Sequence, residues 1–367
     1  MVSMAIYLDY NATAPLRHEA AEAMQAAMGP PSNPSSIHSY GRKARLAVEE
    51  ARQQVAMLLG VRHADLVFTS GGTEANNMVL RGFETCIISE IEHDAVLAVR
   101  PDAIKLAVSA DGVVLPETLE TCLVNLSEVQ RSSCLVSIMA ANNETGVIQP
   151  LDALAKICAQ YNVPMHSDMV QAAGKLPINP ADIGLSFASL SAHKLGGPGG
   201  VGALWIKPGL TLPSLLVGGG QEQGRRSGTE NTLGIIGFGA AAEASARQNW
   251  REIEVARDAA ITALAAEVPD IKVLGVGAPR LANTICLGLP KVRSETIVMA
   301  LDLKGFAVSS GAACSSGKVQ PSHVVIAMGE TDLAGSIVRI SAGWMTTPDE
   351  LSQLAQTVIA LYKQLAN

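Results

Sequence analysis

The sequence predicts an α/β fold with a mostly parallel sheet, and three observations support this prediction. Short apolar runs alternate with polar loops and helical segments along much of the chain. Each apolar run leads directly into polar residues, as where Leu66-Val67-Phe68 precedes Ser70-Gly71-Gly72-Thr73. Of the 367 residues, 48% are hydrophobic, which is enough to fill two packed units. In such folds ligands bind outside the carboxyl ends of the strands, where these polar loops are expected.

The first part of the chain predicts one strand and two helices. Residues 5–8 indicate a short strand, and a helix is expected from Arg17 until Gly29 interrupts it. A second helix should end at Gly60, because glycine favours the left-handed conformation that closes a helix. Its apolar stripe consists of Ala47, Val48, Ala51, Val55, Leu58 and Leu59.

Strands and polar loops then follow one another in order. The predicted strands are residues 66–68, 86–88, 134–139, 163–165 and 186–188. The polar residues that follow them are, in the same order, the glycine-rich turn, Glu92-His93, Asn142-Asn143-Glu144, His166-Ser167-Asp168 and the loop with Lys194. Near Trp250 the composition shifts to a charged helical segment with weaker strand signals beyond it, so we predict a domain boundary there. The last helix has a capping box, with Thr347 as cap, Pro348 first in the helix and Glu350 completing it.

Composition narrows the class of protein. The chain carries 27 Lys and Arg against 34 Asp and Glu, and a formal charge of -7 argues against direct nucleic-acid binding or attraction to anionic membranes. No basic segment precedes an apolar core near Met1, and no apolar run is long enough to cross a bilayer, so a cytoplasmic protein is expected. The six cysteines are scattered without C-x-x-C pairs, which suggests neither a disulfide framework nor a metal site.

Three features together suggest a reactive site. Lys194 lies at a strand end before Gly196 and Gly197, where loss of water can lower the pKa of an amine and make it nucleophilic. The Ser70 to Thr73 turn can hold a phosphate at a helix N-terminus, and Asp168 can hold a ring nitrogen protonated. Each has a plainer interpretation: a solvated turn lysine, a tight turn and a helix cap. A phosphate cradle, an acid and a lysine together describe a pyridoxal-phosphate site.

At this point the sequence resembles the cysteine desulfurases of the aminotransferase class V family, in particular the group I kind that includes NifS and IscS. The resemblance extends over nearly the whole chain. The matching strings are Tyr7-Leu8-Asp9 with Asn11-Ala12-Thr13, Asn33-Pro34-Ser35-Ser36, Thr69 to Asn77, Glu92-His93, Ala141-Asn142-Asn143-Glu144, Ser191-Ala192-His193-Lys194, Gly218 to Glu222, Arg226 to Asn231, and Ser310 to Cys314.

The resemblance implies a fold type I enzyme that uses pyridoxal 5'-phosphate. It implies a large domain over residues 16–249 and a smaller α+β domain formed by residues 1–15 with 250–367. Lys194 would form the Schiff base and move the substrate α proton, and His93 would stack on the ring. The remaining cofactor contacts implied are Gly72, Thr73, Asp168 at the ring nitrogen, Gln171 at the ring hydroxyl, Ser191, His193, and Thr229 from the neighbouring subunit of a homodimer.

The resemblance also implies the substrate and the sulfur chemistry. Arg339 would hold the carboxylate of L-cysteine, because a guanidinium binds a carboxylate through a two-bond fork that lysine cannot copy. Its plainer interpretation is an exposed arginine on an edge strand. Asn143 would line the substrate pocket. Cys314, set among small residues, would receive the sulfur as a persulfide, and the site must assist deprotonation of a thiol whose ordinary pKa is about 8.5.

The expected activity is therefore that of a cysteine desulfurase, a sulfurtransferase that converts L-cysteine to L-alanine. The sulfur acceptor would be an iron-sulfur scaffold or a tRNA thiolation protein. Two alternatives are a selenocysteine lyase or another class V lyase or aminotransferase, and a sulfur-carrier scaffold that has lost catalysis. The chain departs from many relatives at Gly199, where a lysine is common, at Ala312, where serine is commoner, and after Asn367, where housekeeping relatives have a longer tail.

Overall fold

The computed structural model describes residues 5–311 and 320–366. In these ranges the strands are β1 Ile6–Tyr7, β2 Leu66–Thr69, β3 Thr85–Ser89, β4 Ile104–Leu106, β5 Cys134–Ser137, β6 Met165–Asp168, β7 Phe187–Ser191, β8 Gly202–Ile206, β9 Lys272–Val273, β10 Thr284–Gly288, β11 Phe306–Ala307 and β12 Ile337–Ser341.

The α-helices of the same ranges are α1 His18–Ala27, α2 Ser39–Leu59, α3 Gly72–Leu80, α4 Asp94–Leu97, α5 Pro116–Asn125, α6 Glu128–Ser132, α7 Leu151–Gln160, α8 Pro180–Ile183, α9 Thr232–Ala246, α10 Arg251–Glu267, α11 Ser294–Leu303, α12 His323–Ala327 and α13 Pro348–Leu365. Short 3-10 turns lie at His63–Asp65, Ala192–Lys194, Glu222–Gly224 and Thr331–Leu333.

The central sheet has the strand order β2-β8-β7-β6-β5-β3-β4. Strands β7, β6, β5, β3 and β4 are parallel, whereas β8 pairs antiparallel with both β2 and β7. The predicted α/β fold with a mostly parallel sheet is confirmed. Asp168 pairs with Ser189, so the carboxyl ends of β6 and β7 are neighbours. This pairing brings Asp168 and the turn after Ser191 to the same edge of the sheet.

Local signals in the sequence place several helix ends correctly. Helix α2 ends at Gly60, whose φ of 66° is in the left-handed region that glycine adopts at low cost. Helix α13 begins with the predicted capping box, in which Thr347 Oγ1 accepts from the Glu350 N-H and the Glu350 carboxylate accepts from the Thr347 N-H. Both helices bury one apolar face.

The polar string His166-Ser167-Asp168 belongs to β6 itself and is fully buried, although polar residues are rare in a central strand. Hydrogen bonds explain why the strand tolerates it. His166 Nδ1 lies 2.8 Å from Ser137 Oγ on β5, and His166 Nε2 lies 2.9 Å from Ser189 Oγ on β7. Burial lowers the pKa of His166 to about 4, so the imidazole is neutral and bridges three strands.

The C-terminal part of the chain forms smaller sheets. Strands β12, β10 and β9 form an antiparallel sheet, and β1 pairs in parallel with β11. One apolar cluster joins Leu8 to residues between Ile253 and Tyr362, and the small domain formed by both chain ends stays a prediction. Another cluster joins Ile91 to this region, and the boundary at residues 249 and 250 stays a prediction.

Two further findings concern the apolar residues. Among the described cysteines, Cys86, Cys134, Cys158 and Cys286 are buried and Cys122 is half-buried, as expected for small core residues. A search of the described residues finds no helix with the length and apolarity that a bilayer crossing requires.

Candidate active site

A cavity of about 1190 Å³ opens at the carboxyl ends of the central strands. Nearly all of the residues predicted for the site line it: Gly72, Thr73, His93, Asn143, Asp168, Gln171, Ser191, His193, Lys194 and Arg339. Thr229 does not line this cavity, and Cys314 lies outside the described residues. The chain fold therefore collects residues from distant parts of the sequence at one edge of the sheet.

Lys194 ends the short 3-10 turn that follows β7, and its amine points into the protein. Nζ donates to the carbonyl oxygen of Ala12 at 2.8 Å and also to that of Asn11. Burial, with the positive charge of Arg339, lowers the pKa of this amine from 10.5 to about 8, although Asp9 and Asp168 act in the opposite direction. A fully solvated turn lysine would not donate to these two backbone oxygens, so the contacts favour a reactive Lys194 over a solvated turn lysine.

Asp168 ends β6 with 8% of its surface exposed. Oδ2 accepts a hydrogen bond from Asn76 Nδ2 at 2.7 Å, and Oδ1 accepts from the N-H of Val170 at 3.0 Å. Asn76 lies on α3, four positions after Gly72, and its own Oδ1 has no partner among the described residues. The sequence analysis did not assign Asn76 a role, although it belongs to a matching string.

The N-terminus of α3 offers the space that a phosphate would need. Apart from its chain neighbours, no atom lies within 4 Å of the point where a Cβ on Gly71 would be, and the same holds at Gly199 and Gly200, which also line the cavity. Thr73 is exposed in the first turn of α3, and Ser191 ends β7 opposite it. Free helix N-H groups and hydroxyls of this kind bind anions.

His193 and His93 are held by single contacts. His193 Nδ1 lies 3.2 Å from Thr13 Oγ1, and burial together with Lys194 lowers the pKa of His193 to about 4, which keeps its ring neutral. His93 caps α4, where its Nδ1 accepts from the N-H of Ala95 at 3.0 Å. This cap leaves Nε2 of His93 available to the cavity.

Gln171 has both ends of its amide occupied. Nε2 donates to the carbonyl oxygen of Asn11 at 3.0 Å, and Oε1 accepts from Lys175 Nζ at 3.0 Å. The second hydrogen of Nε2 remains available.

Arg339 is 4% exposed although β12 is the edge strand of its sheet, so an exposed edge arginine is ruled out. Nη2 donates to Asp9 Oδ1 at 2.7 Å and Nη1 donates to the Asn143 carbonyl oxygen at 3.3 Å. Nε is buried and has no partner among the described residues. The loop that presents Asn143 is fixed by Asn142, whose Oδ1 accepts from the N-H groups of Glu144 and Thr145 at 2.9 and 3.0 Å.

Thr229 is exposed in a loop that two ion pairs anchor to α2 and to α3. Arg52 forms a two-bond fork to Glu222 at 2.7 and 2.8 Å, and Arg226 Nε donates to Glu74 at 2.8 Å. The matching strings that contain Glu222 and Arg226 therefore also fix the position of this loop.

Two buried acids, Glu92 and Glu144, lie beside the cavity; both belong to matching strings, but no role was predicted for either. Burial raises the pKa of Glu92 to about 8, although Oε1 accepts from Ser89 Oγ at 2.5 Å and from the Met139 N-H at 2.9 Å. Burial also raises the pKa of Glu144, whose Oε2 accepts from Ser322 Oγ at 2.6 Å. Their membership of matching strings is the sequence signal that could have singled them out, whereas the burial that raises their pKa values depends on tertiary packing.

The sequence and the structure are similar to known proteins over nearly the whole chain. The profile of the family described as aminotransferase class-V matches residues 6–354. A protein named cysteine desulfurase IscS from Dictyoglomus turgidum is 39% identical over 380 aligned residues, which cover 98% of this chain and 95% of that protein. An IscS-like cysteine desulfurase from Mycobacterium tuberculosis is 36% identical and covers 92% of this chain and 91% of that protein.

Solved structures give the same result. A NifS-like protein from Rickettsia africae superposes with a TM-score of 0.91 at 34% identity and covers 98% of this chain and 99% of that one. A structure described as SspA in complex with cysteine superposes with a TM-score of 0.79 at 27% identity and covers 92% of this chain and 99% of that one. These relatives do not favour the alternative of a selenocysteine lyase or another class V lyase or aminotransferase.

Proposed function

This chain belongs to the aminotransferase class-V family and is a cysteine desulfurase, and we propose that Lys194, Arg339 and Cys314 carry out its reaction. The observation that supports this assignment best is the buried amine of Lys194, which shares one cavity with Asp168 and Arg339. With a pKa near 8, about a tenth of these amines are neutral at pH 7, which is the form that reacts with a carbonyl group.

The family depends on pyridoxal 5'-phosphate, which when bound supplies an electron sink for the α carbon of an amino acid. The residues present fit this group. Asp168 would hold the ring nitrogen, Gln171 the ring oxygen, and His93 the ring face. The open space beside Gly71 is where the phosphate would meet the helix N-terminus of α3. The proposed phosphate contacts are Gly72, Thr73, Ser191 and His193, with Thr229 of the neighbouring subunit in a homodimer.

The substrate would bind through Arg339. Its guanidinium is buried, charged and already oriented by Asp9, so a carboxylate can form two charge-assisted bonds with little ordering cost. Asn143 lies beside it and lines the same cavity. We propose that Lys194 Nζ takes the α proton of the substrate and returns it, and that His93 exchanges a proton at Nε2.

The sulfur step balances without an external oxidant. The carbon-sulfur bond of L-cysteine breaks, a sulfur-sulfur bond forms to Cys314, and the products are L-alanine and a persulfide on that cysteine. The substrate carbon is reduced by two electrons and the two sulfurs are oxidised together by two. The persulfide would pass to an acceptor protein, such as an iron-sulfur scaffold or a tRNA thiolation protein. The cytoplasmic location stays a prediction.

A product analysis tests the proposed function. The protein loaded with pyridoxal phosphate is incubated with L-cysteine and, separately, with L-selenocysteine in the presence of a thiol reductant, and alanine, sulfide and pyruvate are measured. We expect alanine and sulfide in equal amounts from L-cysteine and no pyruvate. Alanine from selenocysteine alone would identify a selenocysteine lyase, and no product from either amino acid would indicate a scaffold without catalysis.

A further inference from the structure

Lys175 is a second lysine beside the cavity, and neither the resemblance nor the proposed reaction uses it. It follows Gly174 in the loop after β6, and its side chain is directed inward. Nζ lies 3.0 Å from Gln171 Oε1 and 3.4 Å from Asn11 Oδ1. Lys175 and Lys194 also line the same small void of about 10 Å³. Its amine is therefore part of the polar interior rather than the surface.

The electrostatic setting of Lys175 is unfavourable for a charge. Among the described residues, no carboxylate forms an ion pair with it within 4.0 Å. Burial, followed by the positive charges of Lys194 and Arg339, lowers the pKa of Lys175 to about 7. Since no carboxylate among the described residues pairs with Lys175, its two hydrogen-bond acceptors are the interactions that account for an amine at this place.

The orientation of Asn11 is fixed independently of Lys175. Its Nδ2 donates to the Asn143 carbonyl oxygen at 3.2 Å and to Thr284 Oγ1 at 2.9 Å, so Oδ1 must face the other way. That oxygen also accepts from Asn283 Nδ2 at 3.1 Å. Lys175 thus faces two acceptors, Asn11 Oδ1 and Gln171 Oε1, and it can donate to both even as a neutral amine, which has two hydrogens.

Two contacts fix which way the Gln171 amide points, one with the Asn11 carbonyl oxygen and one with Lys175. With the oxygen turned to Lys175, the nitrogen donates to the Asn11 carbonyl oxygen and keeps one hydrogen for the cavity. A flipped amide would place NH₂ against the Lys175 amine and an oxygen against a carbonyl oxygen, which costs both bonds.

We propose that Lys175 is a positioning residue that holds the Gln171 amide with its donor end toward the ring oxygen of the cofactor. The proposal rests on the proposed function, in which Gln171 contacts that oxygen. In this proposal Lys175 contacts neither substrate nor cofactor, and it acts on cofactor binding only through Gln171.

A double-mutant cycle on cofactor binding tests this proposal. Apo-protein is prepared for the wild type, Gln171→Ala, Lys175→Met and the double variant, and the dissociation constant for pyridoxal 5'-phosphate is measured by absorbance titration. We expect each single variant to weaken binding about 3- to 10-fold, which corresponds to one hydrogen bond. The double variant should be no weaker than Gln171→Ala alone, because Lys175 has nothing to orient once Gln171 is absent.

A spectroscopic measurement accompanies the cycle. The pH at which the visible band of the bound cofactor titrates should shift in the same direction in Gln171→Ala and Lys175→Met. In both variants the Gln171 amide no longer donates a hydrogen bond to the ring oxygen. Lys207→Met, a change of an exposed lysine, is the matched control and should change neither quantity. Thermal unfolding of each apo-protein shows whether the variants fold, and Lys175→Gln replaces Lys175→Met in the cycle if the latter does not.

The outcomes separate two failures. If Gln171→Ala binds the cofactor like the wild type, the proposed role of Gln171 is wrong. If Gln171→Ala weakens binding but the effect of Lys175→Met adds to it in full, Lys175 does not act through Gln171 and only the present inference is overturned.

Discussion

The structure predicts that Lys194 captures pyridoxal 5'-phosphate with an apparent pKa near 8 instead of the 10.5 of an ordinary lysine. Only the neutral amine reacts with the aldehyde. At pH 7 a pKa of 8 leaves about 10% of the amine neutral, against about 0.03% at 10.5, so the reactive fraction is about 300-fold larger. The rate of capture should rise with pH and level off above about pH 8.

Two substitutions change this pKa in opposite directions. Asp9→Asn removes a negative charge that raises the pKa of Lys194, so the capture rate should begin to rise at lower pH. Arg339→Met removes a positive charge that lowers this pKa, and it also leaves Asp9 unpaired, so the rise should move to higher pH. The Asp9 and Arg339 side chains contact each other. The two variants therefore remove a negative and a positive charge from the same place, and the pKa of Lys194 should respond with opposite shifts.

The assay is stopped-flow absorbance after mixing apo-protein with excess pyridoxal 5'-phosphate between pH 6 and 10. Thermal unfolding of the apo-protein supplies a second measurement. A lysine whose folded pKa is depressed binds fewer protons in the folded state, so its contribution to stability should rise between about pH 8 and 10.5 and be constant below pH 8. A capture rate that still rises steeply at pH 10, or that moves in the same direction in both variants, would refute the reasoning.

Two further predictions concern single residues of the site. Lys194→Ala should remove the visible absorbance of the bound cofactor and all turnover, because among the described residues Lys194 is the lysine that lines the site cavity; wild-type turnover in this variant would show that the assignment is wrong. Arg339→Lys should raise the Michaelis constant for L-cysteine about 10- to 150-fold, which corresponds to the loss of one charge-assisted hydrogen bond of about 1.5–3 kcal/mol, with little effect on thermal stability. An unchanged Michaelis constant would place the carboxylate elsewhere.

Patterns that are local in the sequence predicted much of the fold. Apolar runs that end in polar loops located the central strands, and Gly60 and the Thr347 capping box located helix ends, since each depends on a few neighbouring residues. The string His166-Ser167-Asp168 was harder to place, because its burial depends on partners on β5 and β7 that lie more than twenty residues away.

In the site, too, features that depend on neighbouring residues were predicted and features that depend on distant contacts were not. Lys194, Asp168 and the α3 turn stood out because each combines a residue type with a strand end. The pairing of Asp9 with Arg339 joins residues 330 positions apart. The contacts of Asn11 join the chain start to the loops that follow β6 and β7 and to β10. The lowered pKa of Lys175 and the raised pKa of Glu92 arise first from burial, with the charges of Lys194 and Arg339 adding at Lys175 and that of Asp168 adding at Glu92. Sequence patterns contain no distances of this kind.

The central claim is that sulfur passes from L-cysteine to Cys314, and peptide mass spectrometry tests it most directly. Wild-type protein that holds pyridoxal 5'-phosphate is incubated with L-cysteine without reductant and digested, and the masses of its peptides are compared with those from Cys314→Ser. The variant retains Lys194, so its absorbance should still change when L-cysteine is added. We expect one added sulfur on the peptide that carries Cys314, with one alanine released, and neither in the variant, because a hydroxyl does not accept sulfur as a persulfide. Alanine and sulfide from Cys314→Ser at the wild-type rate would contradict the account.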